Sequence, residues 1–130
     1  MKKDVYDLTN PQKSIWLTEQ VYKGTTVNNI CTSGTIYGFI DEALLKNAIY
    51  NVVKQNDSFR IHICLINGTV KQYISEFKNF EIETQYINNE SELQELKYQQ
   101  AINKFDILDS DLFKFKIISL CYINCKSYHF

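Results

Sequence analysis

The period at which apolar and polar residues alternate changes along this chain, and it changes most sharply between residues 41 and 66. Leu44, Leu45, Ala48, Ile49, Val52 and Val53 recur at i, i+1, i+4, i+5, i+8 and i+9, which places them on one face of a 3.6-residue helix. Asp41 stands where an N-cap belongs, and Ile40 before it is placed to staple onto Leu45. After a polar break at Gln55-Asn56-Asp57 the period drops to two. Residues 58–63 then read as a strand, with Phe59, Ile61, Ile63 and Leu65 on one side and Arg60, His62 and Cys64 on the other. Asn67-Gly68 is a strong two-residue hairpin signal, so residues 69–74 are expected to return antiparallel.

The flanking segments carry weaker versions of the same signals. Thr9 or Asn10 as cap, Pro11 in the first turn and Gln12 three residues after Thr9 predict a helix bearing Ile15, Trp16, Glu19 and Tyr22, ending near Gly24. Trp16, the only tryptophan, reads as a packing anchor. Residues 25–37 are rich in Thr, Ile and Val and predict a strand, with Asn28-Asn29 as an irregularity near its start. Phe80, Ile82, Thr84 and Tyr86 alternate with Glu81, Glu83 and Gln85, which gives a further strand buried on one side. Ser91-Glu92-Leu93-Gln94 has the form of a capping box and opens a polar helix reaching residue 103 or so. Its thin stripe of Leu93, Leu96 and Ile102 is expected to lie on a sheet surface. Residues 105–111 read as a structured loop, 112–123 as a long strand, 124–127 as a turn, and 128–130 as the start of another strand.

Composition narrows the class. With 130 residues, 45% of them hydrophobic and 14% aromatic, this is a globular domain or part of one, not a disordered chain. A net charge of -1 gives no electrostatic case for binding nucleic acid or an anionic membrane. No run of about 18 apolar residues exists, so no membrane-crossing helix is expected. The charged start is not followed by an apolar leader, and the cytoplasm is the default compartment. Cys31, Cys64, Cys121 and Cys125 read as reduced structural thiols, the first three inside strand-like runs. Cys121, Cys125 and His129 have half the spacing of a zinc site, but no second pair accompanies them, so no metal is assigned. Arg60 is the only arginine among 14 basic residues. Its planar five-donor fork therefore raises the question of what it pairs with.

Three blocks together carry a family resemblance. Leu8-Thr9-Asn10-Pro11-Gln12-Lys13-Ser14-Ile15-Trp16-Leu17, Asn56-Asp57-Ser58-Phe59-Arg60, and Phe105-Asp106-Ile107 followed by Leu112-Phe113-Lys114 resemble, in this order, motifs in the N-terminal lobe of nonribosomal peptide synthetase condensation domains. In the third block Lys104 and Asp111 stand where proline is usual, and Lys114 where arginine is usual. The resemblance implies an α+β fold similar to half of chloramphenicol acetyltransferase, with a mixed, mostly antiparallel sheet and helices packed on one face. Residues 1–130 would then be a partial condensation domain. The family joins an acyl or peptidyl thioester on one carrier protein to an aminoacyl group on another. The chain would bind no cofactor directly, phosphopantetheine being borne by its carrier-protein partners.

The family's catalytic motif, His-His-x-x-x-Asp-Gly, occurs nowhere in these residues, whose only histidines are His62 and His129. By spacing it would begin past Phe130, so no catalytic residue is assigned within the chain, and the fragment is expected to be inactive alone. Arg60 is implied to order the active-site loop by pairing with the aspartate of that motif, a partner lying outside residues 1–130. Other readings are a freestanding binding or interaction module on the same half-fold, and a small acyltransferase using His129 as base. A last expectation concerns residues 117–123. They form an uncharged β-prone run beside a strand that breaks off, and this exposed sheet edge would favour self-association.

Overall fold

The computed structural model describes residues 4–122 and 125–129, with side chains through residue 120. The order of elements is β1 (Val5–Tyr6), α1 (Asn10–Val21), β2 (Thr35–Tyr37), α2 (Glu42–Gln55), a 3-10 turn (Asp57–Arg60), β3 (Ile61–Ile66), β4 (Thr69–Ile74), β5 (Glu83–Ile87), α3 (Glu90–Ala101), β6 (Lys116–Tyr122) and β7 (Cys125–His129). They divide between two compact units. The first comprises Met1–Asn28, Val52–Lys78 and Lys104–Phe113, and the second Asn29–Asn51, Asn79–Asn103 and Lys114–Phe130.

In the first unit α1 starts as its sequence dictates. Gln12 donates its backbone N–H to the Thr9 hydroxyl, and the Gln12 side chain accepts from Thr9 N at 2.8 Å, a reciprocal capping box with Pro11 in the first turn. No residue of α1 is fully buried, and Trp16 is only half-buried, so it anchors less than expected. A three-stranded antiparallel sheet in the order β1-β4-β3 forms the centre of this unit. Its hairpin turns at Asn67 and Gly68, whose φ values of 50° and 76° suit a two-residue loop matching the right-handed twist of the strands. Residues 104–113 then lie along β3, where Leu108 forms a parallel bridge with Ile63 and Asp109 N–H donates to Ile63 O at 2.8 Å.

The strand expected from residue 58 begins instead at Ile61. Residues 57–60 wind into a 3-10 turn in which Phe59 N–H donates to Asn56 O at 3.2 Å. Asn56, Asp57 and Ser58 are short polar residues that favour such local turns over an extended chain. Nor is β3 one-sided, since its neighbours Ile63 and Cys64 are both buried.

The second unit contains the capped start of α2. Asp41 Oδ1 accepts from the backbone N–H of Ala43 at 2.8 Å and of Leu44 at 3.1 Å. Only half of the apolar face is used. Ile49 is buried in a cluster with Ile82 and Ile117, against which Ile40 and Leu45 also pack, while Leu44 and Ala48 stay exposed. The sheet of this unit runs β2-β7-β6-β5, with β5 parallel to β6 and the other pairs antiparallel. Ile117 of β6 faces the α2 cluster, and Ile118 and Leu120 pack with Ile87 and with Leu93 of α3. Helix packing is therefore not confined to one face of this sheet, and the Ile-Ile run in β6 reflects burial on both sides.

Further boundaries differ from expectation, among them the strand expected over 80–86, which is confined to Glu83–Ile87. The strand over 25–37 shrinks to Thr35–Tyr37. Asn29 is the reason on its side: its Nδ2 donates to Ala101 O at 3.1 Å and Asn103 O at 2.6 Å, satisfying carbonyls at the end of α3 instead of a strand partner. Cys31 falls in this irregular stretch and is exposed, so it is not a strand residue. Helix α3 starts earlier than the Ser91 box, because Asn89 caps it by accepting from Glu92 N–H at 2.9 Å. The long strand begins at Lys116 rather than residue 112. Residues 125–127, expected as a turn, belong to β7, while Ile123, Asn124 and Phe130 lie outside the described residues. Since β6 pairs with β5 on one side and β7 on the other, it is an interior strand. The open edge expected beside residues 117–122 is closed.

Candidate functional site

The 3-10 turn ends on the residue that the composition singled out. Arg60 Nη1 donates to Ser75 O at 2.8 Å, and Ser75 N–H donates back to Arg60 O at 2.8 Å. This two-way clamp fastens the turn to the residue after β4. Nη2 pairs with the carboxylate of Asp57, three residues earlier. The expectation that Arg60 lacks a carboxylate partner within the chain is thus corrected: Asp57 is one. The pairing is not a bidentate fork, however, because the two head nitrogens serve different acceptors. Nε is buried and has no acceptor among the described residues.

One residue into β3 lies a second polar constellation. His62 Nε2 stands 2.9 Å from Asp111 Oδ1, and Nδ1 stands 3.2 Å from the Tyr73 hydroxyl. Tyr73 lies opposite His62 in the β3–β4 register and donates its hydroxyl to Asp109 Oδ1 at 3.1 Å. Phe59 and Phe113 meet edge to face in the same unit, ring centroids 5.8 Å apart. Of the residues marked by the sequence, Arg60 and His62 therefore fall in the same unit. His129 lies on β7 opposite Thr35 and Ile118, its side chain outside the described residues, as are those of Cys121 and Cys125. Ser75, Tyr73, Asp109 and Asp111 had no sequence signal as partners, since each meets its partner only through folding.

Both ring nitrogens of His62 are engaged, and the guanidinium of Arg60 is a fixed cation whose buried Nε has no acceptor among the described residues. Such a site can hold and order an acceptor. Among the described residues no group of three His, Cys, Asp or Glu side chains is placed to hold a metal ion.

A family model of the condensation domain matches residues 2–123. The chain belongs to the condensation-domain family. Surfactin synthase subunit 1 of Bacillus subtilis is 30% identical over 122 residues, a match covering 88% of this chain and 3% of that protein. Bacitracin synthase 2 of Bacillus licheniformis is 27% identical over 117 residues, covering 90% of this chain and 4% of that protein. Among solved structures, the starter condensation domain of rhizomide synthetase superposes with a TM-score of 0.84 at 18% identity, over 97% of this chain and 31% of that one. The condensation domain of the monacolin K polyketide synthase gives a TM-score of 0.78 at 14% identity, over 98% of this chain and 30% of that one. The α+β architecture is thus a condensation-domain fold, and the chain spans less than a third of these domains' length. Amide-bond formation is the activity of the condensation-domain family, whose nonribosomal members work with carrier proteins bearing phosphopantetheine.

Proposed function

We propose that this chain serves as the N-terminal part of a condensation domain that joins carrier-bound acyl and aminoacyl thioesters in nonribosomal peptide synthesis. The family match over residues 2–123 carries the reading. The catalytic residues of such a domain come from a His-His-x-x-x-Asp-Gly segment that these 130 residues do not include. The chain itself supplies framework and, through Arg60, order in the active-site loop. The buried Arg60 Nε supports that role, because a guanidinium with a desolvated, unused donor is set to receive one more acceptor. The aspartate of the catalytic segment has the right chemistry. Exposed apolar side chains on α1 (Leu17, Val21) and α2 (Leu44, Val52) support a further proposal, that the rest of the domain covers them. The partners are then carrier proteins, with phosphopantetheine as their thioester arm and no cofactor held by this chain, in the cytoplasm. No helix among the described residues is long and apolar enough to cross a membrane.

The role of Arg60 is tested by joining the chain to the remainder of a condensation domain and measuring dipeptide formation from loaded carriers. Arg60→Lys is expected to lower kcat at least ten-fold, and Asp57→Asn to leave it near the unsubstituted rate. Equal losses in both variants would mean that Arg60 matters only through its local turn.

A further inference from the structure

The hydrogen bonds around His62 fix where its protons are. The Tyr73 hydroxyl has one proton and gives it to Asp109 Oδ1, so toward His62 Nδ1 the phenol oxygen can only accept. Nδ1 must therefore carry a hydrogen. On the other side of the ring, Nε2 faces the carboxylate oxygen of Asp111, which also only accepts, so Nε2 must carry a hydrogen as well. All three bonds stand together only when His62 is an imidazolium. We infer that His62 is a proton-operated pin that fastens the segment bearing Asp109 and Asp111 to the β3–β4 hairpin, and that loss of its proton loosens that segment.

A neutral ring breaks one bond in every arrangement. With the hydrogen on Nδ1, the Nε2 lone pair meets the Asp111 carboxylate and that link fails. With the hydrogen on Nε2, the Tyr73 proton must choose between His62 and Asp109, and one of those two links fails. Two of the three outcomes detach a carboxylate of the 104–113 segment. His62 and Asp111 lie 49 residues apart in sequence, so the bond crosses between separate stretches of chain. The ring is well shielded, its side chain being 13% exposed, while Asp111 is 51% exposed and can move away into water. The titratable groups bonded to the ring are Asp111 from the segment and Tyr73 from β4, and Tyr73 in turn bonds Asp109. Beside Tyr73 on β1 stands the uncharged Val5. Arg60 on the approach to β3 is turned to Asp57 and Ser75. The segment also touches β3 through its own backbone, where Asp109 N–H donates to Ile63 O, and that amide reports whether the segment is seated.

The proposal stands apart from amide formation and is tested on the chain as it is. Amide hydrogen exchange at Asp109, corrected for the intrinsic pH dependence, is followed from about pH 5.5 to about pH 8.5. Protection is expected to fall roughly ten-fold as the pH rises, since a lost charge-assisted bond is of that size. His62→Gln should remove the pH dependence. Asp111→Asn should hold protection high at the alkaline end, because its Nδ2–H can donate to the Nε2 lone pair of a neutral ring. In the unsubstituted chain the ring's two 15N resonances should report a doubly protonated imidazole at the acid end, where the segment is seated. Flat protection in the unsubstituted chain, an unchanged pH profile in either variant, or a singly protonated ring at the acid end would each overturn the proposal.

Discussion

Arg60 shows what a single guanidinium can hold. Its two head nitrogens reach different acceptors, the Ser75 carbonyl and the Asp57 carboxylate, and a lysine ammonium cannot span both. Arg60→Lys is therefore expected to destabilise the chain by about 1–2 kcal/mol, seen as a lower urea midpoint with an unchanged slope. Asp57 is 63% exposed, so the ion pair itself contributes little. Asp57→Asn should cost less than about 0.5 kcal/mol in the same experiment. Arg60 stood out in the sequence because it is the only arginine. Its partners were not. Ser75 acts through a backbone carbonyl that any residue could supply, and Asp57 comes into reach only because residues 57–60 wind up instead of extending. Likewise His62 was visible as a polar residue on an apolar strand, but nothing local announces Asp111.

At the scale of elements, the termini of helices were legible where a side chain meets its own backbone. Thr9 with Gln12 and Asp41 with the first turn of α2 are contacts over two or three residues, and folding cannot move them far. Asp41→Ala should cost about 1 kcal/mol, measured by thermal or urea unfolding. The Asn67-Gly68 turn was legible for the same reason. Strand limits were not, because they depend on pairing. Residues 112–115 have strand-like composition yet join no ladder, and Asn29 spends its amide on the end of α3. An acid-sensitive tie adds to the start of α2. Glu42 accepts from the hydroxyls of Thr84 and, at 2.8 Å, Tyr86, and pairs with Lys46 at 3.1 Å. The Thr84 and Tyr86 bonds, followed by Lys46, hold its carboxyl below the ordinary value of 4.5. A depressed folded-state value means that this stabilisation is complete above pH 4.5 and is lost as pH falls through the lower folded value. Unfolding free energy measured against pH should fall over that acid window, and Glu42→Gln should make the fall shallower. An unchanged slope in Glu42→Gln would show that the tie is not formed in solution.

For the whole molecule, the family was legible from three short blocks in their order along the chain, although identity to these relatives is 30% or less. The division into two units and the pairing of β6 on both sides were not, because parallel pairing of β5 with β6 joins strands that a helix separates in sequence. With β6 interior, association through residues 117–122 loses its physical basis. The edges of that sheet are instead β5 and the three-residue β2, and a short edge templates poorly. On the function proposed above, these residues would hold the frame of an amide-forming domain and none of its catalytic groups. Dipeptide formation from carrier-bound donor and acceptor thioesters tests it most directly, with the chain alone set against the chain joined to the rest of a condensation domain. The joined protein should turn over, and the chain alone should stay at the buffer rate, with His62→Ala and His129→Ala indistinguishable from it. Turnover by the chain alone that disappears in either histidine variant would contradict the account.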